Sequence, residues 1–200
     1  MVKLTSRRLA TQRILTLDVE CKPGHWIGGD YVSKILTAVA WQWDSEEKTV
    51  CLTHYGYDPG TLAARLAWEI RKADVVTGHY IRGFDLPLIS GQLLVAGLPS
   101  LPPVWTLDTK LDLKKAHGRS LSQKNLSALL GIDAPKIDVT LAEWEAFNSK
   151  VDGAEARGIE RVTGDVQQHR EMRHKLVSLG WLGSGRLWTP DAGRNSRYHG

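Results

Sequence analysis

The sequence predicts a mixed α/β sheet of about five strands flanked by helices, and three observations predict it. Three strand-like runs follow one another between residues 12 and 55, so the chain opens as a hairpin or meander. From about residue 60 onward, short apolar runs alternate with segments of helical spacing, the order that lays helices on a sheet. Two hundred residues with 42% hydrophobic content suit a single core.

Residues 12–20 read as a buried strand and ILTAVAWQW, residues 35–43, as a second, with a Gly-containing loop between them. Residues 48–55 alternate Thr, Val and Leu and make the third. Pro59-Gly60 breaks that run. Leu62, Leu66, Ala67 and Ile70 then recur at helical spacing over 61–72, with Thr61 or Asp58 as the cap. DVVTG at 74–78 is a short strand, and 85–96 is a helix with Pro87 in its first turn, where a missing N–H costs nothing. Residues 104–108 suggest another strand. SQKNLSALL ends at Gly131, which suits a helix C-cap. Residues 133–153 show no clear period, and 154–179 is a long helix. The domain is expected to span 1–180, with 181–200 as a basic, Gly/Ser-rich tail.

The net charge of +4 is unevenly placed. All of the excess lies after residue 160, where Arg161, Arg170, Arg173, Lys175, Arg186, Arg194 and Arg197 face only Asp165, Glu171 and Asp191. Such an end attracts a polyanion, or it is a solvated helix face followed by a polar tail. No apolar run approaches the roughly 20 residues that cross a bilayer, and no secretory h-region follows the basic N-terminus. A soluble, cytoplasmic protein that keeps away from membranes is expected. Cys21 and Cys51 form no metal-binding pattern and are expected as free thiols.

Three sets of acids carry the functional argument. In ILTLDVECKPG, Asp18 and Glu20 stand two apart on a strand, so both project from one face of the sheet. Paired carboxylates there suit an oxygen-preferring divalent ion, Mg²⁺ or Mn²⁺, though an exposed strand end carrying acids reads the same way. Asp85, in GHYIRGFDLPL, opens a helix and is either a site acid or a residue balancing the helix dipole. Asp165, beside Gly164 in RVTGDVQQH, sits inside the long helix, where neither residue favours local stability.

Taken in order, ILTLDVE, GHYIRGFDLPL and the helical GDV resemble the three motifs of the DEDD superfamily of 3′ to 5′ exonucleases, the proofreading-type nucleases of ribonuclease H-like fold. The resemblance covers roughly residues 12–179. It implies a two-metal enzyme hydrolysing phosphodiester bonds from a 3′ end, with Asp18, Glu20, Asp85 and Asp165 as the metal-binding and catalytic acids. Two such ions orient the scissile phosphate and neutralise the departing oxygen. Asp108 also looks like a recurrent feature of the group, here more simply a strand-end cap. The partner it implies is nucleic acid, DNA ahead of RNA, in replication or repair. The compact size is compatible with a phage-encoded protein acting in a host cytoplasm. No motif specifies an oligomeric state.

The chain departs from the family pattern in three places. Family members place a Tyr four residues, or a His five residues, before the last Asp as general base, and this chain has Arg161 and Glu160 there. His169, four residues after Asp165, shares its helix face and can replace the base or be an ordinary surface histidine. Alternatively the metals alone activate the water, or the protein binds without efficient cleavage, with Arg161 gripping a phosphate. Tyr80 stands where an Asn is usual, either stacking on a base or packing in its loop. Cys21 replaces a Thr near the terminal nucleotide. Three readings follow: an exonuclease, a nucleic-acid-binding module of the same fold with weakened catalysis, or an unrelated α/β domain whose acids do not converge.

Overall fold

Strand β1 (Ile14–Lys22) sets the geometry of the molecule because both of its faces are covered. Its odd-numbered residues Leu15, Leu17 and Val19 join one apolar cluster, while the even positions Thr16, Asp18 and Glu20 lie on the other face. The structure, a computed structural model, describes residues 11–24, 26–27, 30–31, 34–117, 121–133 and 137–190. A short hairpin, β2 (Trp26–Ile27) with β3 (Asp30–Tyr31), interrupts the loop that leads to β4 (Ile35–Trp43). β4 runs antiparallel to β1, and β5 (Val50–Thr53) runs antiparallel to β4.

Helix α1 (Pro59–Lys72) begins two residues earlier than its apolar period indicates. Asp58 is the cap: its carboxylate accepts the Thr61 N–H at 2.9 Å, and Pro59 takes the first helical position instead of breaking the run. Leu62, Leu66 and Ile70 are at most 1% exposed. Each such burial contributes about 1.5–3 kcal/mol. They pack beneath β4 with helix α2 (Asp85–Val95), which follows strand β6 (Val75–Gly78). β6 and then β7 (Val104–Asp108) continue the sheet in parallel with β1.

Two helices escape the sequence pattern. Helix α3 (Thr109–His117) follows β7 directly, and its first turn carries Asp112. Helix α4 (Gln123–Leu130) matches expectation, capped by Ser122 and ended by Gly131 in the left-handed conformation, φ 61°. Helix α5 (Leu141–Asn148) lies in the stretch without a clear period. It is held by a capping box in which Thr140 and Glu143 exchange hydrogen bonds, and Phe147 alone of its residues is buried. Helix α6 (Ala154–Ser178) runs unbroken through Gly164 and Asp165, both buried, and packs on β4, β1 and β5.

The mixed sheet flanked by helices is as expected, with strand order β5-β4-β1-β6-β7 and then a sixth strand, one more than the five or so read from the sequence. β8 (Arg186–Trp188) pairs antiparallel with β7, and Trp188 is buried in the main core. The boundary expected at residue 180 therefore falls before a strand of the sheet: Leu187 and Trp188, short of a strand's usual length, read as tail. Residues 191–200 of the expected tail lie outside the described residues. Cys21 and Cys51 are free thiols, and burial pushes the Cys51 thiol up to about 12. Trp41 belongs to the core, while the Trp43 indole N–H donates to Glu69 at 3.1 Å. Among the described residues no helix is long and apolar enough to cross a membrane.

Candidate metal centre

Register decides what stands beside the first two acids. Asp18 is paired with Ala40 and Glu20 with Ala38 across the β1–β4 ladder, so the side chains next to both carboxylates on that face are methyl groups. The small residues leave room for α6, whose Val162 and Val166 pack on them. The same helix delivers Asp165. Ligand oxygens of Asp18, Glu20 and Asp165 all lie within 4.8 Å of one another. Two carboxylate charges about 4 Å apart repel by about 4 kcal/mol at an effective dielectric of 20, so the arrangement calls for positive charge. Three hard oxygen donors, with Asp18 and Glu20 half-buried and Asp165 buried, are a donor set that fits a divalent ion of the Mg²⁺ or Mn²⁺ type.

Asp85 adjoins this trio without belonging to it. β6 pairs with β1 only as far as Thr77 opposite Thr16, so beyond that point the backbone of β1 loses its parallel neighbour. The Val19 N–H donates instead to Asp85 Oδ1 at 3.2 Å, which ties the first residue of α2 to the strand between the two other acids. Asp85 is 3% exposed. Burial pushes its carboxyl up to about 8, backbone hydrogen bonds pull against that, and the nearby charges of Asp108 and Glu20 add to it. Gly78, at the end of β6, has no alternative: an added Cβ would lie 2.1 Å from Ile81 and 2.9 Å from the Leu17 carbonyl.

Arg161 is one turn before Asp165 and points at it. Its Nε lies 2.9 Å from Asp165 Oδ2, and its Nη1 donates to the Ile137 carbonyl at 2.5 Å. Glu160, immediately before Arg161, is turned to Arg157 at 3.0 Å on the surface. His169 is not the surface histidine its spacing allowed. It is 2% exposed, and burial holds its imidazole well below the ordinary histidine range, with His79 and Arg173 adding to the effect and the Gly78 carbonyl opposing it. The ring is neutral and enclosed beneath the end of β6.

Tyr80 occupies a strained backbone position, φ 78°, in the loop between β6 and Asp85. Its N–H donates to Asp108 Oδ1 at 3.1 Å, and Lys110 Nζ sits 4.4 Å from its ring centroid. Gly83 lies flat against the ring, where a Cβ would be 2.3 Å away. Tyr80 remains 36% exposed.

Asp108 is the cap that its position suggests. It accepts the N–H groups of Lys110 at 3.1 Å and Leu111 at 2.9 Å at the start of α3, and that of Arg82 at 3.1 Å. Burial raises its carboxyl above the ordinary range against the pull of these donors and of Arg82.

Two features escaped the sequence reading. Gln123 Nε2 donates to the Asp165 carbonyl at 2.9 Å and reaches its Oδ1 at 3.4 Å, so a buried amide orients the acid. Its only sequence signal is a polar residue at the start of an apolar-faced helix. The second concerns the basic end: Arg170 and Arg173 pair with Asp44, Arg186 with Asp112 and Arg161 with Asp165. These four cations answer acids within the molecule. Arg194 and Arg197 lie outside the described residues.

No family model and no curated protein matches the chain. Among solved structures, the family B DNA polymerase of the hyperthermophilic archaeon Pyrobaculum calidifontis is similar in fold, with a TM-score of 0.65 at 14% identity. The match covers 83% of this chain and 24% of the polymerase, so the chain spans about a quarter of the length of that neighbour.

Proposed function

We propose that the protein is a metal-dependent 3′ to 5′ exonuclease that removes nucleotides from nucleic acid, DNA ahead of RNA. The observation that carries this reading is the convergence of Asp18, Glu20 and Asp165 from two elements far apart in sequence, with ligand oxygens within 4.8 Å. Asp85, anchored to Val19 between the two strand acids, is the fourth acid of the set. The resemblance of the motifs carrying these residues to DEDD exonucleases supplies the reaction class, and the fold shared with a DNA polymerase agrees with it.

Asp18, Glu20, Asp85 and Asp165 would hold Mg²⁺ or Mn²⁺, two ions in the full arrangement. When bound, such ions supply Lewis-acid stabilisation of the phosphate and lower the pKa of water. The residues of the chain do the rest. Gln123 fixes the Asp165 backbone and carboxylate, Asp85 secures the end of β1, and Tyr80 offers an aromatic face to a base or sugar. His169, enclosed and neutral, supports the helix–sheet contact in this reading and not the deprotonation of water.

A weaker nuclease, or a binding module of the same fold, is the second reading. It is favoured by Arg161 and Glu160, which put an ion-paired guanidinium and a surface carboxylate where the family has its base. Degradation of 5′-labelled single-stranded DNA and RNA with Mg²⁺ or Mn²⁺ decides between the two. A ladder shortening from the 3′ end, absent in Asp18→Asn, establishes the enzyme. Binding of the labelled strands by folded protein without cleavage establishes the module.

A further inference from the structure

Arg161 is in an unusual place for a helix-surface arginine. An acid four residues C-terminal to an arginine is the weaker orientation for a helical ion pair, so local helix stability does not account for it. Both partners are largely enclosed, with side-chain exposures of 19% for Arg161 and 7% for Asp165. The guanidinium is also tied at its other end to the Ile137 carbonyl, outside the helix. It is thus pinned between a loop and the acid trio, on the one trio member that Gln123 already orients.

We propose that Arg161 is a built-in counter-ion of the acid cluster, balancing Asp18, Glu20 and Asp165 when no metal is present and competing with a divalent ion for Asp165. The proposal rests on the metal-centre reading above. A guanidinium suits the task because it stays charged at all working pH values and tolerates burial better than an ammonium. It carries a single charge, whereas a divalent ion carries two and prefers carboxylate oxygen, so the ion can displace it. A neutral side chain at this position would remove that charge from beside Asp165. This chain keeps its site assembled without metal, at the expense of affinity for it.

The test compares the full chain with Arg161→Gln and Arg161→Lys by calorimetric titration with Mn²⁺ and by thermal unfolding in EDTA and in Mn²⁺. Arg161→Gln is expected to bind Mn²⁺ about tenfold more tightly, a gain of about 1.4 kcal/mol. It also melts at lower temperature than wild type in EDTA and gains more from Mn²⁺. Arg161→Lys keeps a cation and stays near wild type in affinity. If Arg161→Gln folds only with Mn²⁺, the ion is replacing the guanidinium, which supports the proposal. Equal or weaker Mn²⁺ affinity in a folded Arg161→Gln overturns it, as does a variant unfolded with and without the ion. Absence of Mn²⁺ binding by wild type overturns the metal-centre reading and this proposal together, whereas wild-type binding with unchanged variant affinity overturns this proposal alone.

Discussion

Two clusters of acids sit on the same sheet and differ in how their charge is answered. At the end of β7, Asp108 and Asp112 are interlocked with Arg82 and Arg186: Arg82 lies 2.5 Å from Asp112, and Arg186 3.2 Å from it. Asp112 also accepts the Asp108 N–H at 2.9 Å, and Asp108 takes the N–H groups of Tyr80, Arg82, Lys110 and Leu111. Two acids meet two arginines, and the cluster stitches the β6–α2 loop to α3. At β1 and α6, by contrast, Asp18, Glu20 and Asp165 converge and Arg161 pairs with one of them. There the three carboxylates bring oxygens within 4.8 Å of one another. Acids interlocked with arginines and backbone amides build structure, while acids whose oxygens converge on one point fit an external cation.

Substitution of a converging acid should break the comparison most sharply. Asp18→Asn removes a direct ligand, and since losing even a group that merely orients a ligand costs about 10–100-fold in metal affinity or activity, the metal-dependent loss of 3′ nucleotides should fall by more than that. The thermal midpoint in EDTA should hold or rise, because one of three mutually repelling charges is gone. The check is a gel assay of labelled strands beside a melting curve.

The balanced cluster should respond in the opposite sense. Arg82→Ala leaves Asp108 buried without its guanidinium and Asp112 with Arg186 alone, a loss of about 3–5 kcal/mol of stability readable in urea denaturation. Disturbance of the Tyr80 loop should follow. If Arg82→Ala were as mild as an exposed substitution, the division into structural and cation-seeking clusters would not stand.

Proton linkage separates the clusters further. The folded carboxyl of Asp85 is raised to about 8 from 3.8, so between those values the folded state keeps a proton that the unfolded state releases. Its contribution to metal-free stability is therefore full below about pH 4 and is lost as pH rises toward 8. Asp85→Asn should flatten that decline in urea midpoints measured in EDTA.

The smallest expected effect is at His169. Its folded value is depressed, so below about 6.5 the unfolded state takes up a proton that the folded state refuses, and stability falls as the medium is acidified. His169→Gln should reduce this acid-side loss in the same denaturation series. Metal-dependent cleavage at pH 8 should change little, whereas a collapse of cleavage with Mn²⁺ affinity intact would return His169 to the role of base.

Local pattern determined much of this molecule. The alternation along β1 placed Asp18 and Glu20 on one face, helical spacing placed α1, α2 and α6, and the Gly131 signal ended α4, because each depends only on neighbours in the chain. Tertiary structure decided the rest. α5 is short and holds one buried residue, and β8 is three residues long, so neither carries enough periodic signal to be read without the surface it packs on. The partner of Arg161, the enclosure of His169 and the reach of Gln123 to Asp165 depend on which residues the fold brings together across 42 positions or on which face of a helix is covered. A sequence names the groups that can ionise; the charges and walls placed around them by folding decide which are neutralised at home and which await a cation.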